Sequence, residues 1–98
     1  MSAKYIVYRI VCDDQDYIGF TSAKHGNVEF ALRERIAKHY YRATTENLSW
    51  PLYNVLKFVK SKYHINYCVL DVFDSRQEAL THEKHLIKTL KPLLNTVV

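Results

Sequence analysis

The segment Lys4–Cys12, KYIVYRIVC, constrains the fold more than any other stretch of the chain. It is rich in β-branched and aromatic residues and apolar on both parities, which suits a central strand. A polar turn (DDQD, residues 13–16) follows, and residues 17–21 (YIGFT) read as the returning strand of a hairpin. Asn27 reads as the N-cap of a helix over residues 28–42. A polar loop at 44–49 precedes a second helix, entered at Pro51 and ending near Ser61 or Lys62. Residues 65–73 (INYCVLDVF) form a third strand, and Ser75 with Glu78 make an S-x-x-E capping box for a last helix ending near Leu90. Lys91-Pro92 stops that helix, and Asn95 and a short apolar tail close the chain. The order β-β-α-α-β-α predicts an α+β fold, a small three-stranded antiparallel sheet flanked by helices.

With 98 residues, and no repeat or linker, the chain is expected to form a single domain spanning residues 1–98. Hydrophobic residues make up 48%, enough to build a core and to exclude disorder. No run approaches the roughly 20 apolar residues of a membrane span, and the N-terminus lacks a signal-peptide stretch. Cys12 and Cys68 lie in strand-like runs without zinc-like spacing, and read as buried thiols in a reducing compartment. The expected location is cytoplasmic. A net charge of +4 favours anionic partners, nucleic acid foremost.

Chemistry shows itself where charge sits on an apolar stripe. At about 100° per residue, Ala79, Leu80, Leu86, Ile87 and Leu90 all fall within roughly 60° of Glu83 on the last helix. Burying that carboxylate unpaired costs several kcal/mol, so it needs a cation, a metal ion or a cleft. On the first helix Val28, Ala31, Leu32 and Ile36 mark the buried side. Arg35 and His39 lie one turn apart on its flank, whereas Arg33 points roughly the other way. The plainer reading makes Glu83 and Arg35 core-edge ion-pair partners and His39 a structural histidine. In the hairpin, Ile6, Tyr8, Ile10 and Cys12 share a face. If Cys12 pairs with Tyr17 across the four-residue turn, Tyr17 joins that face, and Gly19 leaves a gap beside it. Most of the eight tyrosines are accounted for by strand preference alone.

Taken in order, these residues resemble the GIY-YIG nuclease family. Ile6-Val7-Tyr8 followed by Tyr17-Ile18-Gly19 resembles its paired motifs, with Ile6 and Val7 standing where the family shows Gly and Ile. Arg35 and His39 match its R-x-x-x-H, Glu83 the glutamate of its last helix, and Lys91-Pro92 with Asn95 its closing motif. The resemblance covers nearly the whole chain. It implies a metal-dependent DNA endonuclease that hydrolyses phosphodiester bonds through a single divalent-cation site.

On that resemblance Glu83 would bind one Mg²⁺ or Mn²⁺, and Arg35 would hold the scissile phosphate as a planar, always-charged fork. Tyr8 would be the general base and Tyr17 would position the phosphate or the nucleophile. A free phenol titrates at about 10, so Tyr8 requires nearby positive charge to act at neutral pH. His39 would relay a proton or hydrogen-bond a phosphate, while Gly19 and Asn95 serve the backbone around the site. These groups are expected to converge on a solvent-reachable hollow. Lys57, Lys60 and Lys62, with Trp50 nearby, would dock DNA, although each lysine alone reads equally well as a solvated helix face.

Family members serve in intron homing, restriction, repair and phage DNA metabolism, usually with an added targeting domain. The compactness of this chain leans toward phage or homing types, with modest specificity or a partner protein for targeting. Oligomeric state has no signature in the sequence. The alternatives are a non-catalytic nucleic-acid-binding module, or a structural domain in which Glu83 and Arg35 neutralise each other.

Overall fold

The structure, a computed structural model, describes residues 2–12, 14–46 and 50–95. Strand β1 (Lys4–Cys12) turns back into β2 (Gln15–Ala23), followed by helix α1 (Val28–Tyr41). Helix α2 (Pro51–Leu56), strand β3 (Asn66–Phe73) and helix α3 (Arg76–Leu90) complete the order β-β-α-α-β-α. The three strands form one antiparallel sheet in the order β2-β1-β3, so β1 is central. Among the described residues no helix is long and apolar enough to cross a membrane.

A strand apolar on both parities needs cover on both faces. Ile6, Tyr8 and Ile10 point into a cluster with Leu32 and Ile36 of α1, Leu52, Tyr53 and Leu56 of α2, and Leu94. Val7 and Ile18 point the other way, onto Ala79 of α3, with Leu86 and Ile87 packed beside it. Side chains of this size contribute about 1.5–3 kcal/mol each when fully buried, so the two clusters clamp the central strand from opposite sides.

Local signals end the elements as expected in several places. The Asn27 side chain accepts the Phe30 N–H at 3.0 Å, and Ser75 Oγ accepts the Glu78 N–H at 3.3 Å. Lys91 takes a left-handed φ of 48°, closing α3 just before Pro92.

Other expectations are corrected. The hairpin turn is two residues tighter than the four-residue reading: Cys12 pairs with Gln15, and Tyr17 stands opposite Ile10. Asp14 makes this possible by adopting a φ of 65°, a conformation Asp tolerates better than most residues. Helix α2 stops at Leu56 rather than near Ser61 or Lys62. Phe58 and Val59 N–H groups bond three residues back, at 3.2 and 3.0 Å, and the Tyr40 hydroxyl donates to the Val59 carbonyl at 2.8 Å. The segment expected as a polar loop begins instead with a π-helical turn, Arg42–Glu46; its residues 47–49 lie outside the described ones. Cys12 is buried, but Cys68 is exposed, because β3 is an edge strand open to solvent from residue 66 to 72. Leu90, placed on the apolar stripe by angle, is 57% exposed at the last residue of α3.

Candidate active site

Two strands and two helices bring one cluster of rings together. Tyr8 stands directly opposite Gly19 across the β1–β2 ladder, and Tyr17 shares its face by alternation. A Cβ at Gly19 would lie 2.5 Å from Tyr8 Cζ, 2.6 Å from Tyr8 Oη and 2.8 Å from Tyr17 Cε2. The Tyr8 phenol thus occupies the space a side chain would fill. Gly19→Ala is expected to destabilise the fold by about 1–3 kcal/mol, because the ring it displaces is rigid and buried. In a domain of this size each kcal/mol lowers Tm by roughly 4–8 °C, which calorimetry measures.

His39 of α1 links two of these rings. Its Nε2 lies 2.7 Å from Tyr8 Oη and its Nδ1 lies 3.1 Å from the hydroxyl of Tyr53 on α2. All three side chains are buried. Tyr17 meets the His39 ring edge-on with centroids 5.7 Å apart, and Trp50 stacks on Tyr53 at 5.3 Å. Burial pushes the His39 pKa down to about 4, and Arg35, Arg42 and Lys38 push in the same direction.

That shift has a consequence for stability. The folded pKa lies below the ordinary 6.5, so the unfolded chain binds more protons between the two values. The stability held by neutral His39 is complete above about pH 6.5 and is lost as pH falls toward about 4, some 3 kcal/mol in all. Urea unfolding at about pH 7 and about pH 4.5 should show wild type losing roughly 2–3 kcal/mol more than His39→Gln.

Arg35 sits one turn before His39, half-buried, and its Nε is buried without a hydrogen-bond partner. It lines a hollow of about 380 Å³ between the end of β2 and the start of α1, shared with Lys24, His25 and Lys38. Arg33 is exposed and lines a different hollow, with Lys62, Tyr63 and Tyr67. Glu83 of α3 is half-buried, and burial raises its pKa against the pull of Lys84. Its charge reaches both phenols, raising Tyr8 and Tyr17. Burial is the largest cause for each; Tyr17 adds to the rise at Tyr8, while the Arg35 guanidinium draws both back. Among the described residues no ion pair joins Arg35 to Glu83, so the mutual neutralisation that a structural domain would require does not form.

The chain matches the model of the GIY-YIG catalytic domain over residues 4–96. It belongs to that family. No curated protein and no solved structure matches the chain. GIY-YIG domains are nuclease domains, generally dependent on a divalent metal.

Within this GIY-YIG domain, Asn95 lies 77 residues from Ile18 of β2 in sequence yet pairs with it. Its Oδ1 accepts the Ile18 N–H at 2.7 Å and its Nδ2 donates to the Ile18 carbonyl at 2.8 Å. The side-chain amide therefore completes the open edge of β2 between Tyr17 and Gly19, as a further strand would. Tyr8 departs from the expected open hollow: it is 0% exposed, whereas Tyr17, Arg35 and Glu83 are partly accessible. Lys57, Lys60 and Lys62 are exposed, and Lys57 and Lys62 lie over the rings of Phe58 and Tyr63.

Tyr53 is the group that sequence reasoning missed. Its one signal is general: a tyrosine on the apolar side of a short helix, between Leu52 and Leu56, needs a partner for its hydroxyl. Nothing in the chain names that partner.

Proposed function

We propose that this domain is a metal-dependent DNA endonuclease, of phage or homing type, hydrolysing phosphodiester bonds through a single divalent-cation site. The observation that carries this reading is a pair of charges without an ion-pair partner among the described residues, both of which act electrostatically on the two phenols. Arg35 holds a buried Nε with no partner, and Glu83 is a half-buried carboxylate without an ion pair among the described residues. A phosphate would satisfy the first and a cation the second.

Among the described residues no cluster of three or more metal-ligating side chains occurs. A lone carboxylate nevertheless fits Mg²⁺ or Mn²⁺, since such ions keep several waters and take substrate phosphate oxygens as further ligands. Glu83 would hold the ion. When bound, it supplies Lewis-acid neutralisation of the charge that builds on the phosphate oxygens.

The remaining work falls to this chain's own groups. Arg35 grips the scissile phosphate, and Tyr17, the accessible phenol, orients it. Tyr8 takes a proton from the attacking water as its own moves to His39 Nε2. The water oxygen forms the new P–O bond, the bond to the leaving strand breaks, and the leaving oxygen takes a proton from solvent. Because Tyr8 is sealed, water reaches its oxygen only when the groups around it rearrange. Lys24 and Lys38 carry phosphates flanking Arg35, and Lys57, Lys60 and Lys62 add contacts further along the duplex. Binding therefore weakens steeply with salt.

Plasmid incubated with Mg²⁺ or Mn²⁺, with and without chelator, tests the reading. Metal-dependent nicking supports it. DNA binding with no cleavage would instead identify a non-catalytic binding module.

A further inference from the structure

We propose that Tyr53 is a positioning residue for His39: its oxygen accepts the Nδ1–H, which keeps the Nε2 lone pair turned toward the Tyr8 hydroxyl. The proposal rests on the nuclease reading of this site for its purpose, but on geometry for its substance.

A neutral imidazole carries one proton, so His39 can accept from only one of the two phenols that flank it. Tyr8 lies 2.7 Å from Nε2 and Tyr53 lies 3.1 Å from Nδ1. One of these contacts must run outward from the ring. The distances decide which: 2.7 Å is the length of a hydroxyl donating to Nε2, and 3.1 Å that of an Nδ1–H donating to a hydroxyl oxygen, so the chain runs Tyr8 to His39 to Tyr53. The reverse direction would leave the buried Tyr8 proton without its nearest acceptor.

The arrangement follows the logic of a nucleophile, a base and an orienting third group, with a neutral phenol as the third. When Nε2 receives the Tyr8 proton, His39 becomes a cation whose Nδ1–H is already bonded to Tyr53. Phosphate bound on Arg35 offsets the guanidinium that otherwise opposes this charge. Tyr53 is well placed for a fixed role. It is 1% exposed, its ring is clamped by Trp50 at an interplanar angle of 13°, and it comes from a different helix than His39.

Two measurements test this. Long-range ¹H–¹⁵N correlation spectra should show His39 protonated on Nδ1 in the wild type and losing that preference in Tyr53→Phe. That variant keeps the ring and removes one oxygen. In nicking assays Tyr53→Phe should lower kcat about ten-fold or more with KM within about two-fold, and should add nothing in a His39→Gln background. Protonation on Nε2 in the wild type overturns the proposal, as does an unchanged kcat in Tyr53→Phe or a full additional loss in the double variant. If the wild type cuts no DNA, the nuclease reading fails, while the spectra still decide the tautomer.

Discussion

Glu83→Gln should abolish metal-dependent nicking, lowering kcat by roughly 10³-fold or more, while leaving the fold as stable as before or more so. The activity loss follows because Glu83 is the carboxylate proposed to hold the cation, and an amide does not replace its charge. The stability result follows from the sign of its pKa shift. Burial raises the folded pKa above the ordinary carboxylate value, so the folded state binds more protons, and stability is lost as pH rises through the folded pKa. The ionised form of Glu83 is therefore destabilising in the folded chain, and Gln removes that cost. A structural carboxylate would behave in the opposite way. Nicking assays together with urea unfolding of both proteins separate the two cases, and a marked loss of stability in Glu83→Gln would count against a metal-holding role.

Arg35→Ala should reduce kcat/KM by about 10²–10³-fold, and Arg35→Lys should recover little of it. The buried Nε is one arm of a planar fork, and an ammonium offers neither that arm nor two parallel donors. A second consequence needs no DNA. After burial, Arg35 is the next largest cause of the depressed His39 pKa, so removing the guanidinium should move the His39 titration upward from about 4. Titration of the His39 ring by NMR in wild type and Arg35→Ala measures this directly. An unmoved titration would place the guanidinium away from His39 and undo the proposed geometry.

Much of this site was legible because helices and strands have fixed periods. Rotation per residue put Arg35 on the flank of the buried side and Arg33 roughly opposite, with the R-x-x-x-H spacing pointing the same way, and in the structure Arg35 is half-buried and Arg33 exposed. The shared face of Tyr8 and Tyr17 survived an error in the turn. The true register differs by two residues, and a shift of two restores the same face where a shift of one would invert it. Gly19 likewise read as a gap, and the gap is where the Tyr8 ring lies.

What lay beyond sequence had a common cause. The end of α2 at Leu56, the sealing of Tyr8, the exposure of Leu90 and the His39–Tyr53 contact all depend on how separate elements dock. Periodicity says which side of an element is apolar but not which other element covers it, nor how closely.

Alone, then, the amino-acid order determined the type and sequence of the main strands and helices and the side on which their polar groups stand, because those follow from bonds and sterics within a few residues. Only the tertiary structure decided that Tyr53 closes the ring around His39, that Asn95 caps the β2 edge at Ile18 and that Arg35 stays unpaired by Glu83. Those facts arise from contacts between residues distant in sequence, where packing of whole surfaces outweighs any local preference.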